Sequence, residues 1–177
     1  MNKPTLIDFL QTGFEEVNNF ASTTSAEGFY FKPADNVWSA AENVQHLIQS
    51  VQPIVRLFGR PKEFLVEKWG YANHASRTYE GVVEAYHTAL GSGVVATGAF
   101  APLACNPDRG GLLEEFGQTN DGLISQLASW SEEELDKYAI PHPLLGLLTV
   151  REMMLFTAYH TRHHLAIMAK RVALVAH

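Results

Sequence analysis

The stretch that most restricts how this chain folds begins at Thr149-Val150-Arg151-Glu152. This is a capping-box pattern, in which a threonine hydroxyl and a glutamate three residues on satisfy each other's orphan backbone N–H groups. A helical spacing follows it to about Val175. At 100° per residue, Met153, Phe156, His164 and Ile167 all fall within about 40° of His160. Met154, Ala158, Leu165, Ala169 and Val172 occupy the opposite side. A helix that is apolar on two sides is buried on two sides, so this one sits centrally in a bundle or at a subunit interface.

The rest of the chain supplies partners for it. Leu6, Phe9, Leu10, Phe14, Val17 and Phe20 repeat at helical spacing behind Pro4, predicting a first helix that ends near Ser22. A loop rich in turn formers leads to a second capping box, Ser39-Ala40-Ala41-Glu42. The helix it opens carries an apolar stripe of Val44, Leu47, Val51, Ile54, Val55 and Phe58 and ends at Arg60-Pro61. Pro53 is expected to kink or interrupt it, because the ring removes one backbone hydrogen bond. Residues 78–91 and 112–130 read as further helices, and Ser131 to Glu134 as a short helical turn. Residues 91–111, with their glycines and prolines, read as loop, and Pro141 to Gly146 as an extended lead-in. No internal repeat and no alternating strand pattern beyond four or five residues competes with this reading, so an all-α bundle in one domain over 1–177 is the economical architecture.

Composition excludes several classes. A chain of 177 residues with 46% apolar content can bury a true core without staples. No stretch reaches the ~20 apolar residues of a membrane span, and acidic residues enter too early for a signal peptide. Cys105, the single cysteine, can form no intramolecular disulfide, which fits a reducing cytoplasm. The net charge of −6 argues against nucleic acid as a partner.

The histidines concentrate in YHTRHH (Tyr159 to His164). His160 and His164 lie one turn apart on the inward face, a workable pair of nitrogen ligands, although the spacing equally fits a structural pair. His163 falls about 60° to the other side and reads as an edge residue. On the second predicted helix, His46 is displaced about 100° from much of the apolar stripe; it either lines a cleft or faces water. His142, between two prolines, either flanks a pocket or is a plain loop residue. His74 and His87 have no evident partner, Arg162 and Arg171 default to a solvated role, and Glu42 and Glu152 are explained as caps. Trp38 reads as an anchor at the start of its helix, and Cys105 as structural, since nothing near it would activate a thiol.

W-S-x-x-E-N-x-x-H-L (Trp38 to Leu47), followed by H-x-x-x-H on the final helix, resembles the DinB/YfiT-like superfamily. PHPLLGLLTVREMMLFTAYHTRHHLAIM (Pro141 to Met168) looks most like its metal-dependent hydrolase branch. The resemblance implies a four-helix bundle with up-down-down-up connectivity, here with extra short helices and a loop-rich middle, and often a homodimer. It also implies a divalent metal held by His46, His160 and His164. Three imidazoles would leave water positions open on that metal, as in catalytic sites, and would suit zinc or nickel first and iron after them. The activities implied are hydrolysis of a small-molecule substrate or S-transfer with a low-molecular-weight thiol such as glutathione, mycothiol or bacillithiol. The alternative is a non-catalytic metal-binding bundle with a stress-response or structural role.

Overall fold

The computed structural model describes residues 1–91, 100–102 and 108–175. Its helices are α1 (Lys3–Thr23), α2 (Ala26–Tyr30), α3 (Ala40–Phe58), α4 (Lys62–Trp69), α5 (Tyr79–Gly91), α6 (Arg109–Leu127), α7 (Glu132–Lys137) and α8 (Val150–Val172). A hairpin of β1 (Ala139–His142) and β2 (Gly146–Thr149) precedes α8. The long helices α1, α3, α6 and α8 form the bundle: α3 packs on α6 and α8, and α1 packs on the same two from the other side.

Side-chain pairings give the directions. His46 meets His160, and Asn43, three residues earlier, meets His164, so α3 and α8 are antiparallel. Phe14 packs on Phe116 while Lys3 reaches Ala128 and Arg109 reaches Ala21, so α1 and α6 are antiparallel as well. Arg151 at the start of α8 bonds Met1, and Arg162 bonds Phe9, so α1 and α8 run parallel. The connectivity is therefore up-down-down-up. Parallel α3 and α6 oblige the chain to travel back along a helix of 19 residues, about 28 Å, before starting α6. That return accounts for the long middle region, in which α4 and α5 form.

Sequence expectations hold for the long helices and fail at their joints. Pro53 does not interrupt α3. One missing backbone bond is outweighed by burial of the helix on both α6 and α8. The glycines at 110 and 111 belong to α6, because the Asp108 carboxylate accepts from Gly110 N–H at 3.0 Å and caps the helix ahead of them. The lead-in at Pro141 to Gly146 is a true hairpin, with Ala139 opposite Thr149 and a tight turn in which Gly146 takes φ +71°. α2 and α4 carry too few residues to show a periodicity.

Within α8 every residue from Val150 to Ala158 is buried. On its second apolar side Met154 and Ala158 are buried, with α1 and α2 of the same chain packed on the helix, while Leu165 and Val172 are half-buried and Ala169 is exposed. The cap residue Glu152 is fully buried and does more than cap: Arg77 Nε donates to it at 2.6 Å and Arg77 N–H at 3.0 Å, and His74 Nε2 lies 3.0 Å away. Burial alone would raise its pKa, but the bonds from Arg77, His74 and Thr149 hold it down to about 2. The stretch before α5 is thereby tied to the start of α8.

Candidate metal centre

His46 on α3 and His160 and His164 on α8 converge in the bundle, with one ring nitrogen from each lying within 4.8 Å of the others. All three are buried. Of the two places expected for His46, it takes the first: it is buried and lines a cleft rather than facing water, because α3 has two covered faces, its apolar stripe on α6 and its histidine side on α8.

Hydrogen bonds fix how the rings present themselves. His46 Nδ1–H donates to the Phe100 carbonyl at 2.6 Å, which leaves Nε2 with a bare lone pair. That Nε2 faces His160 Nε2 at 3.1 Å. Two nitrogens on one tetrahedral zinc, each bonded at 2.0–2.1 Å, stand about 3.3 Å apart. His164 Nδ1 lies 2.7 Å from Asn43 Oδ1. Asn43 Nδ2 donates to the Ser39 carbonyl at 2.7 Å, so the oxygen is the amide atom turned to His164, and the imidazole is the donor. Two of the three rings are thus held in the tautomer that offers Nε2, and a partner on the far nitrogen is the usual support of a metal-bound histidine.

Electrostatics agree with that chemistry. Burial pushes His46 below the usual imidazole range, and it pushes His160 and His164 well below it, reinforced by neighbouring histidines. Neutral imidazole is the form that ligates. The donor set therefore fits a divalent transition metal.

The cluster lines a cavity of about 770 Å³, within the size of small-molecule sites. Its wall is largely apolar, including Leu47, Val51, Ile54, Leu57 and Phe156, and no carboxylate lines it among the described residues. Trp38, expected as a mere anchor, packs 5.0 Å from His46 and stacks 6.3 Å from His164. Its carbonyl accepts from Arg171, which also lines the cavity rather than standing free in solvent. Arg162 likewise lies against the protein, 3.9 Å over the Phe9 ring.

The remaining histidines separate cleanly. His163 is half-buried and stacks on Tyr159, whose hydroxyl lies 2.8 Å from His87 Nε2; both belong to a tyrosine–histidine group beside the centre. His74 serves Glu152. Glu42 caps α3 and pairs with Lys32 at 2.8 Å. His142 lines the cavity, with burial lowering its pKa to about 4. Cys105 lies outside the described residues. Asn43 and the Phe100 carbonyl, which orient the ligand rings, were not singled out from sequence. Asn43 had two signals: it sits on the helix turn before His46, and it is the N of the W-S-x-x-E-N-x-x-H-L pattern.

Residues 10–168 match the DinB superfamily, and the chain belongs to it. No curated protein matches it in sequence. Among solved structures it is similar to YfiT from Bacillus subtilis, described as a probable metal-dependent hydrolase with an unusual four-helix bundle topology. The TM-score is 0.63 at 14% identity, covering 98% of this chain and 87% of that one. A DinB-like protein from Bacillus subtilis gives 0.56 at 17% identity, with coverages of 98% and 93%. The colibactin self-resistance protein ClbS, in complex with double-stranded DNA, gives 0.57 at 14%, with coverages of 96% and 94%. At identities this low, these superpositions establish a shared fold alone. The ClbS complex corrects one expectation: the acidic balance of this chain does not exclude nucleic acid, because a protein of this fold is bound to it. Net charge sums the whole surface, whereas phosphate contact depends on a local one. No helix among the described residues is long and apolar enough to cross a membrane.

Proposed function

We propose that this DinB-superfamily chain is a metal-dependent enzyme that acts on a small, largely apolar molecule, with His46, His160 and His164 as the metal ligands. The observation that carries the reading is the pairing of His46 and His164 with acceptors on their Nδ1 atoms, which turns lone pairs toward His160 at the wall of an open cavity. A closed structural site would have a fourth protein ligand; among the described residues the histidine cluster contains three. The description of YfiT as a probable metal-dependent hydrolase supports the same class.

A divalent metal there would supply Lewis acidity, able to generate a nucleophile from water or from a thiol at neutral pH. This chain's residues supply the neutral ligands, the orientation of two of the rings, and a water-poor apolar wall. The lack of a carboxylate along the described wall favours the thiol reaction, since a hydrolytic water would lack a neighbouring carboxylate base and a thiolate needs none once formed. Hydrolysis by metal-bound hydroxide is the second reading, favoured by YfiT's description. The test is a parallel screen of the zinc- and nickel-loaded protein, with low-molecular-weight thiols plus electrophiles in one arm and esters and amides in the other. Thiol-dependent turnover lost in His160→Ala is expected. Ester or amide turnover without thiol would establish the second reading, and no turnover with full metal content would favour a non-catalytic metal-binding bundle.

A further inference from the structure

His142 is a histidine of the cavity wall that the metal centre does not use. It ends β1 between Pro141 and Pro143, at the mouth of the hairpin turn, and is 8% exposed. Its Nδ1 accepts two backbone hydrogen bonds, from Leu144 N–H and Leu145 N–H, each at 3.1 Å. An atom receiving two N–H groups can hold no proton of its own, so the ring hydrogen must sit on Nε2. Protonating the ring would place a third N–H against those two, which together with burial keeps it neutral. Nε2 has no hydrogen-bond partner among the described residues, yet it is not one of the atoms sealed from solvent.

The ring stands edge-on to Phe156 at 4.3 Å, and Phe156 stacks on His160 at 5.1 Å. Phe156 is thus an apolar bridge with the histidine cluster at one end and a fixed N–H donor at the other. Competing donors on the wall are mostly committed: the hydroxyls of Ser50, Thr157 and Thr161 each donate to a backbone carbonyl one helical turn back. A neutral, direction-fixed donor in an apolar wall without carboxylates suits an uncharged oxygen acceptor, on which it can also stabilise developing negative charge.

We infer that His142 Nε2–H is a substrate-binding donor of this cavity and that the molecule bound there is an apolar compound bearing a carbonyl oxygen. The inference rests on reading the cavity as the substrate site, but it does not need the metal.

The full chain, freed of metal with a chelator, is titrated by NMR with acetophenone and with ethylbenzene, which match in shape and differ in the acceptor. Wild type is expected to prefer acetophenone by about 3- to 10-fold, the range of one neutral hydrogen bond. His142→Asn places an amide oxygen where Nδ1 was, keeping the turn bonds and deleting the distant donor, and is expected to abolish the preference. His142→Gln places an amide nitrogen near the Nε2 position and is expected to restore part of it. Long-range ¹H–¹⁵N correlation should show the His142 ring hydrogen on Nε2 at pH 7. An Nδ1–H tautomer, equal affinities in wild type, or a preference that survives His142→Asn would each overturn the assignment. Tyr86 also lines the cavity, and if Tyr86→Phe alone removed the preference, the donor would be its hydroxyl. Failure of the metal reading would show separately, as a chain that binds acetophenone selectively and takes up no metal.

Discussion

Asn43 Oδ1 accepts from His164 Nδ1 at 2.7 Å, a fully buried bond that joins α3 to α8 across 121 positions of sequence. Because Asn43 Nδ2 is held by the Ser39 carbonyl, the capping turn of α3 sets the direction of a ligand ring on α8. Loss of such a support typically weakens metal binding 10- to 100-fold. Asn43→Ala is therefore expected to lower zinc affinity by about that factor, read by competition with a chromophoric chelator. Affinity unchanged from wild type would show that the ring is oriented by packing alone.

The two neighbouring histidines of α8 provide the second prediction. His164→Ala should lose the metal, whereas His163→Ala should keep it, because His163 stacks on Tyr159 at the edge of the cluster. Equal losses in metal content would mean that the ligand spacing has been assigned to the wrong pair.

A third prediction concerns acid stability of the metal-free chain. His46, His142, His160 and His164 all have folded pKa values below the ordinary 6.5. Unfolding lets them take up protons, so the unfolded state binds more protons and stability rises with pH in this window. Stability is fully present above about pH 6.5 and should fall progressively below it. Urea midpoints at pH 7.5 and 5.5 read the effect, and a flat profile would contradict it.

Glu152 acts in a lower window. Its folded pKa of about 2 lies below the ordinary 4.5, so its contribution is present above about pH 4.5 and is lost as pH falls toward 2. That shift corresponds to about 3 kcal/mol. Glu152→Gln should cost about 2–3 kcal/mol at pH 7, by giving Arg77 and His74 one neutral amide oxygen in place of a buried carboxylate, and should remove this second acid step. A variant as stable as wild type at pH 7 would show that the capping bonds alone hold this end of α8.

How far the sequence was legible follows from where each residue's partner lies. The long helices were readable because their caps and stripes are local: Ser39 with Glu42, Thr149 with Glu152, and the 3.6-residue repeat between. His160 and His164 were readable as one face for the same reason. His46 entered as a ligand only through family resemblance, since its own helix marks it as off the stripe; its burial depends on α8, 114 positions away. The Asp108 cap is local to Gly110 and was masked by the glycines that follow it, whereas the Phe100 carbonyl on His46 and the Glu152–Arg77 pair join residues whose meeting is decided by the return of the chain between α3 and α6. Periodicity within one helix carries no information about such meetings. The charge argument against nucleic acid failed for a related reason, because it summed a surface without knowing its layout.

The most direct measurement is the metal content of the purified full chain after equilibration with zinc and removal of excess, taken by elemental analysis beside His160→Ala. About one zinc per chain is expected in wild type and essentially none in the variant, with the helical circular dichroism of both preserved. A wild-type chain without stoichiometric metal, or a His160→Ala chain that retains it, would contradict the three-histidine centre.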